Sequence, residues 1–256
     1  MQTDHGYKSA PGTAMTEELA SDTLDPDRPS ANRLLAALPR AEYLRLLPHL
    51  QRVSLAQGQS LYAAQTSIPY VWFIERGVVS VFRGTQQGAL IEMAMIGHEG
   101  MVGLAVFLGT GGMLSQARVQ IPVTGLRMPA TVFRREVPAG SPLHDLLHRY
   151  TRAYINQVVQ GMVCNRVHSI AQRCVRWLLL THDRVDADQF PLTQQLLAHM
   201  LGVRRASVGT VASTLQKAGL IRYSRGVITI LDRSGLEAAA CECYRIIKAE
   251  YDRLLG

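Results

Sequence analysis

The chain has 256 residues, of which 47% are hydrophobic and 18% are charged, with a formal net charge of +7. This length is sufficient for two domains with their own cores, and the basic balance favours an anionic partner without identifying it. No apolar run reaches the roughly 18 residues that a membrane-spanning helix needs, and no basic segment followed by an apolar one indicates a signal peptide. We therefore expect a cytoplasmic protein with no membrane partner.

Residues 1–30 form an acidic segment that we expect to be a disordered tail. They carry six carboxylates against two basic residues, Lys8 and Arg28, and almost no large apolar side chains. Such a composition cannot bury enough apolar surface to fold. Two short helices are predicted next, Asn32 to Leu38 and Arg40 to Leu46, interrupted by Pro39.

Short β-type runs punctuated by glycine fill the segment from Arg52 to Met128, which holds 11 of the 21 glycines. The predicted strands are Arg52–Leu55, Tyr70–Glu75, Val78–Arg83, Leu90–Ile96, Gln116–Ile121 and Gly125–Met128. Many short strands with frequent turn residues favour a sandwich or barrel. We interpret this part as an antiparallel β-roll that forms one domain, residues 31–140, with the preceding helices. The fold class is α+β.

A long helix is predicted over residues 141–166, with Ser141 as N-cap and Pro142 at its first position. Its apolar side chains recur at helical spacing, and Ile155 and Val159 widen the stripe so that two faces need cover. One face can pack on the roll and the other on a partner subunit; the alternative is an internal helix covered by its own chain. The residues predicted for dimerisation are Leu147, Tyr150, Tyr154, Val158 and Met162.

A helix-turn-helix is predicted within residues 192–219. Thr193 is placed as the N-cap of a first helix, Leu192 and Leu197 as its hydrophobic staple, and Gly202 as its end. A second helix with inward-facing Val208, Val211, Ala212 and Leu215 follows after a short turn, which is the helix-turn-helix arrangement.

Two strands, Leu220 to Tyr223 and Val227 to Leu231, follow and are joined at Ser224-Arg225-Gly226, so the motif is predicted to be winged. No Asp or Glu occurs from Gln189 to Leu231, whereas five positive charges do. A surface of one sign is costly by self-repulsion and is typical of polyanion binding. The prediction is a DNA-binding domain over residues 167–256; a three-helix core with solvated arginines is the alternative.

The four cysteines, Cys164, Cys174, Cys241 and Cys243, all lie in the second half of the chain. A single last helix is predicted from a capping box at Ser234-Gly-Leu-Glu237 to about Leu254. Cys241 and Cys243 would be two apart on that helix and point in different directions. We therefore expect reduced thiols, no metal site and no cofactor.

The order of roll, long helix and winged helix-turn-helix resembles the Crp/Fnr family of bacterial transcription regulators. The resemblance covers roughly residues 31–235. Its most specific motifs are Leu192–Leu201, Gly202-Val-Arg-Arg, Ser207-Val-Gly, Ala218-Gly-Leu-Ile221, Val71-Trp-Phe-Ile-Glu-Arg-Gly77 and Gly97-His-Glu-Gly-Met-Val-Gly103. It implies a cupin-like, cyclic-nucleotide-binding-like sensor roll in a homodimer that binds double-stranded DNA, with RNA polymerase as a further partner.

The resemblance also locates a candidate effector pocket, in which the usual ligands are missing. In cyclic-nucleotide-binding members a Glu after the G-x-x-G turn binds the ribose, and an Arg ten residues later, followed by Ser, binds the phosphate. The matching positions here are Leu104, Leu114 and Ser115, and a cyclic phosphate buried among leucines would lack a cation. We expect no response to cyclic AMP or cyclic GMP. The candidate pocket residues are Gly100, Gly103, Leu104, Leu114, Ser115, Arg118 and Tyr154.

Other sensors of the family also lack their ligands here. No cysteine precedes Cys164, which argues against an amino-terminal iron–sulfur cluster. His98 is the one histidine of the predicted roll that a haem could use, and it reads more simply as a turn histidine beside Glu99.

The recognition helix departs from the family pattern of Ser, Arg, Glu and a later Arg, because it has Arg204, Arg205, Ala206 and Thr210. Arg205 keeps the commonest base-reading residue type, so a different operator is expected. The predicted DNA-binding residues are Thr193, Arg204, Arg205, Ser207, Thr210, Lys217, Arg222 and Arg225. Ser207, Thr193, Arg222 and Arg225 are assigned to phosphates.

Two other classes of function remain as alternatives. An enzyme built on the roll would need clustered metal ligands, and His98, Glu92 and Glu99 are too few, so no catalytic residue is predicted. A ligand-free protein-interaction scaffold that carries a winged helix would retain protein partners without binding duplex DNA.

Overall fold

The computed structural model describes residues 18–19, 24–27, 30–86, 90–109 and 112–256. Most of the tail expected to be disordered, residues 1–17, 20–23, 28 and 29, lies outside the described residues. Strand β1 (Glu18–Leu19) nevertheless pairs antiparallel with β2 (Gln51–Leu55). The expectation of disorder is therefore wrong for these two residues, whose backbone extends the edge of the sheet.

Two short helices, α1 (Arg33–Ala36) and α2 (Arg40–Leu46), precede the roll, followed by a 3₁₀ turn at Leu47–His49. The first is shorter than predicted because Asn32 caps it and Pro39 follows. The buried Asn32 amide also donates to the carbonyls of Ile74 (2.8 Å) and Gly100 (2.9 Å). One side chain thus ends the helix and fixes it to the sheet.

The roll is a seven-stranded antiparallel sheet of order β1-β2-β7-β4-β5, with β3 paired to β7 and β6 to β4. The further strands are β3 (Ser60–Tyr62), β4 (Tyr70–Gly84), β5 (Leu90–Ile96), β6 (Met101–Val102) and β7 (Ser115–Pro129). Two pairs of predicted strands are each one long strand. Within β4, Gly77 has φ +88° and a Cβ there would lie 2.1 Å from the Pro122 carbonyl oxygen, so this glycine permits the bend that curls the sheet.

Helix α3 (Leu104–Phe107) lies between β6 and β7, and three helices follow the roll: α4 (Ala130–Glu136), α5 (Pro142–Val167) and α6 (Ile170–Val185). The Ser141 side chain accepts from the His144 amide at the start of α5, as predicted. Ser169 and Gln172 form a reciprocal capping box at the start of α6.

The second domain contains β8 (Gln189–Pro191), α7 (Gln194–Leu201), α8 (Arg205–Lys217), β9 (Ile221–Ser224) and β10 (Val227–Ile230). The strands form a sheet of order β8-β10-β9. Strand β8 was not predicted, because three residues are too few for a period to be recognised.

The predicted last helix is two helices, α9 (Arg233–Ala239) and α10 (Cys243–Leu255). Asp232, not Ser234, caps the first of them by accepting from the Gly235 amide at 2.8 Å. Helix α10 packs along α5, with Tyr251 beside Tyr150. Among the described residues no helix is both long and apolar enough to cross a bilayer.

Candidate nucleic-acid interface

The first helix of the motif is built by the predicted capping residues. Thr193 Oγ1 accepts from the Leu196 amide at 3.1 Å, and Gly202 ends the helix with φ +63°. Leu192 and Leu197 are buried where a hydrophobic staple should lie. The amide of Val203 donates to the Ala198 carbonyl at 3.0 Å, which closes the turn. The predicted start and end of this helix are confirmed.

Helix α8 is the candidate recognition helix. Val208, Ala212 and Leu215 are buried against the domain, and Val211 is half-buried, so the predicted inward face is correct. Arg204 takes the N-cap position without a side-chain capping bond. A guanidinium has no acceptor atom with which to cap the helix, and Arg204 is exposed at its amino end.

The wing is a two-residue hairpin whose turn residues, Arg225 and Gly226, have φ +49° and +77°. Positive φ at both central residues suits the twist of a tight hairpin. The Leu192 amide donates to the Gly226 carbonyl at 2.8 Å, and a Cβ on Gly226 would lie 3.5 Å from Thr193 Cγ2. The wing tip therefore lies against the start of α7, beside a residue assigned to phosphate contact.

The predicted DNA-binding side chains share one property, which is exposure. Seven of the eight are exposed and Ser207 is half-buried; the exposed ones are Thr193, Arg204, Arg205, Thr210, Lys217, Arg222 and Arg225. Burial raises the pKa of Tyr223 on β9, while a hydrogen bond with the Gln194 backbone and the charge of Arg205 lower it. None of the five cations forms an ion pair with a carboxylate among the described residues, which leaves their charges available to a polyanion.

Comparison with known proteins identifies this domain. Residues 172–239 match the family of Crp-like helix-turn-helix domains. The chain is 27% identical over 212 residues to the HTH-type transcriptional regulator Cmr of Mycobacterium tuberculosis (strain CDC 1551 / Oshkosh), covering 80% of this chain and 82% of that protein.

Solved structures show the same architecture. A transcriptional regulator of the Crp/Fnr family from Eubacterium rectale ATCC 33656 has a TM-score of 0.62 at 17% identity, over 80% of this chain and 96% of that chain. FixK2 from Bradyrhizobium japonicum has a TM-score of 0.64 at 15% identity, over 75% and 98% of the two chains. At such identities these likenesses show the fold, while the matched domain and the relative give the class of protein. The chain is a transcription regulator of the Crp/Fnr type.

In this Crp/Fnr-type chain the Gly97–Gly100 turn, which connects β5 to β6, packs against α5 and α6. A Cβ on Gly97 would lie 2.4 Å from Arg184 Cγ, and one on Gly100 would lie 2.5 Å from the Tyr150 hydroxyl oxygen. Both positions therefore need glycine because α5 and α6 pack directly against the turn.

A buried ion pair lies beneath that turn. Arg184 Nη2 and Nε lie 2.8 and 2.9 Å from Glu99 Oε1, and both residues are 4% exposed. Arg184 also donates to the Leu180 carbonyl at 2.7 Å and to Gln157 Oε1 at 3.3 Å. The network ties the roll, α5 and α6 together, a contact that the sequence patterns did not predict.

A second contact between the roll and α6 involves Glu92. Ser80 Oγ and Trp177 Nε1 donate to its two carboxylate oxygens at 2.5 and 2.8 Å. Burial raises the pKa of Glu92 to about 7, although these two donors and the charges of Arg176 and Arg184 lower it. Glu92 as a whole residue is half-buried, so solvent screens its charge in part. The change in the free energy of unfolding that corresponds to the full pKa shift is therefore an upper limit.

The candidate effector residues do not converge. Leu114 is 56% exposed and cannot line a closed pocket, whereas Leu104 is 7% exposed on α3 within the core. Arg118 and Ser115 are three residues apart on a regularly paired part of β7, so they lie on opposite faces. The set that the family alignment suggested is therefore contradicted at Leu114 and at Arg118.

The other candidate pocket residues are spread over the glycine turn, the start of α3, β7 and α5. Gly100 packs against Tyr150, while Gly103 has φ +98° at the start of α3 and faces Tyr70 and Val71. Ser115 and Tyr154 are buried. A cavity of about 240 Å³ opens elsewhere, lined by Arg52 and Glu75 among others. His98 lies in the glycine turn, where burial lowers its pKa.

The dimerisation residues divide between two faces of α5. Leu147 and Tyr150 are fully buried and Tyr154 is 9% exposed, so these three pack within the chain and are not available to a partner. Val158 is half-buried, whereas Met162 is 68% exposed. The outward apolar stripe consists of Ile155, Val159, Met162, Val163 and Val167. The expectation of two apolar faces is confirmed, but three of the five residues predicted for dimerisation lie on the face that packs within the chain.

The interpretation of the cysteines is wrong in one respect. Cys241 lies in the turn between α9 and α10, and Cys243 is the first residue of α10, so the two are not on one helix. Their sulfurs point to the same place, beside Cys164 and His168. The sequence shows that Cys164 and His168 are four residues apart, which places them on one face of a helix, but no pattern indicates that Cys241 and Cys243 join them.

Proposed function

We propose that this Crp/Fnr-type regulator acts in the cytoplasm as a sequence-specific homodimer on a palindromic operator. The observation that supports this most directly is the acid-free surface of the recognition helix and wing, with five exposed cations. We retain the domain limits 1–30, 31–140, 141–166 and 167–256, and RNA polymerase as a partner, as parts of the proposal.

Arg205 is proposed to read bases, since it stands at the amino end of α8 and a guanidinium bonds bidentately to guanine. Arg222 and Arg225 are proposed to hold phosphates from the wing. Thr193 and Ser207 are proposed to contact the backbone at the helix starts, with Arg204, Thr210 and Lys217 beside them.

The test is selection of binding sites from randomised duplexes, followed by affinity measurement at fixed salt. Arg205→Ala should lose about 1–3 kcal/mol and relax the preference at one base pair, whereas Arg222→Ala should weaken all sequences alike. Arg134→Ala, at an exposed position on α4, is the matched control and should change neither. An unchanged site profile for Arg205→Ala would contradict the assignment, and protein partners without duplex binding would favour a scaffold.

The homodimer is proposed to form through the outward stripe of α5, because an exposed apolar row at helical spacing suits a parallel partner helix. The two recognition helices should then reach half-sites about 34 Å apart. Val159→Glu and Met162→Glu should give monomers that bind the operator poorly, and Ile91→Glu, which is 47% exposed on the roll, should remain dimeric. A wild-type chain that sediments as a monomer while binding one half-site excludes this arrangement.

The roll is proposed to respond to no cyclic nucleotide. Leu104 offers no oxygen to a ribose hydroxyl, and the exposed Leu114 offers no cation to a phosphate. Any effector must bind the two states of the dimer differently.

A further inference from the structure

Three cysteines and one histidine converge at the junction of the long helix and the last helix. Cys164 and His168 lie one turn apart at the end of α5, while Cys241 and Cys243 flank the start of α10. Their sulfur and ring nitrogen atoms all lie within 4.8 Å of one another. Cys164 and Cys243 are fully buried and Cys241 is 3% exposed.

The spacing of these atoms fits a single tetrahedral ion. Cys164 Sγ lies 3.6 Å from Cys241 Sγ, and Cys243 Sγ lies 3.5 Å from His168 Nδ1. Ligands bound to zinc at about 2.3 Å for sulfur and 2.0–2.1 Å for nitrogen stand about 3.6–3.8 Å apart at the tetrahedral angle. A Cys₃His set is among the donor sets of structural zinc sites.

The surroundings supply the supporting contacts that such a site needs. His168 Nε2 lies 3.2 Å from a Glu242 carboxylate oxygen, so the ring can donate there and present Nδ1 to the centre. Gln160 Nε2 donates to Cys243 Sγ at 3.1 Å. The positive charge of Arg176 favours the thiolate form of Cys164. The Nε atom of Arg176 is buried and has no hydrogen-bond partner among the described residues.

We propose that Cys164, His168, Cys241 and Cys243 bind one Zn²⁺ as a structural site. Three thiolates and a neutral imidazole would give the centre a net charge of −1, which Arg176 offsets. Each thiol releases its proton to solvent as the ion binds. Because the ligands flank residues 169–240, the ion closes a loop around the winged domain and fixes α10 to the end of α5.

The test uses the full-length chain and does not depend on DNA binding. Purified without chelator, wild type should contain about one zinc per chain by elemental mass spectrometry. After chelation, added Co²⁺ should produce thiolate charge-transfer absorption and tetrahedral ligand-field bands, which the d¹⁰ zinc ion does not give. Cys243→Ser and His168→Gln should lose most of the zinc and the full cobalt spectrum. Cys174→Ser is the matched control, since Cys174 is 1% exposed and outside the cluster, and it should keep both.

Several results would overturn the proposal. The wild-type chain could bind neither zinc nor cobalt, or freshly purified protein could contain a Cys164–Cys241 disulfide. The purified chain could also contain iron with acid-labile sulfide in place of zinc. Zinc content that is unaffected by the ligand substitutions would equally reject it. The cobalt spectrum of wild type decides the question even if a variant fails to fold.

Discussion

Replacement of Arg184 by Met tests whether the roll and the helices depend on the buried ion pair. The substitution keeps an unbranched apolar stem over Gly97 and removes the guanidinium that contacts Glu99 twice through Oε1, at 2.8 and 2.9 Å. Glu99 would be left as a buried carboxylate to which, among the residues that the structure describes, only the Gly97 amide donates, at 3.2 Å. Breaking a buried pair by removing one partner costs about 3–5 kcal/mol.

The same interface provides a matched control. Arg76 Nη2 lies 3.0 Å from Asp186 Oδ2, and this pair also joins the roll to the end of α6, but its side chains are 65% and 78% exposed. Arg76→Met should therefore cost no more than about 1 kcal/mol. Burial is the main difference between the two pairs, so the comparison isolates its effect.

The assay is equilibrium unfolding in urea, followed by circular dichroism and by tryptophan fluorescence. Adding Glu99→Gln to Arg184→Met should recover about half of the loss, because the uncompensated charge is removed. A cost for Arg184→Met that is as small as that of Arg76→Met would show that water reaches the pair and would refute the reasoning. Divergence of the two spectroscopic transitions would show that the units unfold separately once the pair is lost.

Three further predictions concern the roll. In the folded chain Glu92 keeps its proton up to about pH 7, whereas in the unfolded chain it releases the proton near its usual pKa of 4.5. The free energy of unfolding should therefore fall as the pH rises through this window, by at most about 3 kcal/mol. Glu92→Gln should abolish that slope in urea unfolding measured across the same range, and a slope unchanged in this variant would contradict the assignment. Gly100→Ala should lower the melting temperature, because the new Cβ would lie 2.5 Å from the Tyr150 hydroxyl oxygen; a melting temperature equal to that of wild type would show that the ring moves freely. Calorimetry with millimolar cyclic AMP or cyclic GMP should detect no binding, and a micromolar dissociation constant or a tenfold gain in operator affinity would reject that expectation.

Features set by neighbouring residues were predictable from the sequence. The N-cap at Thr193, the C-cap at Gly202 and the cap at Ser141 depend on groups within four residues, so their chemistry is the same in any fold. The absence of carboxylates around the helix-turn-helix is likewise a property of the sequence alone. The DNA-binding domain and the exposure of its cations followed from these signals.

Features that depend on a distant partner were decided by the tertiary structure. The pattern of α5 shows two apolar faces, but only packing against α10 and the roll decides that Tyr150 lies inside and Met162 outside. The pairing of Glu99 with Arg184 spans 85 residues and leaves no periodic trace. In the same way, the break between α9 and α10 turns Cys241 and Cys243 toward Cys164. Long-range contacts bring these groups together, and the spacing of residues along the chain carries no information about which distant side chains will meet.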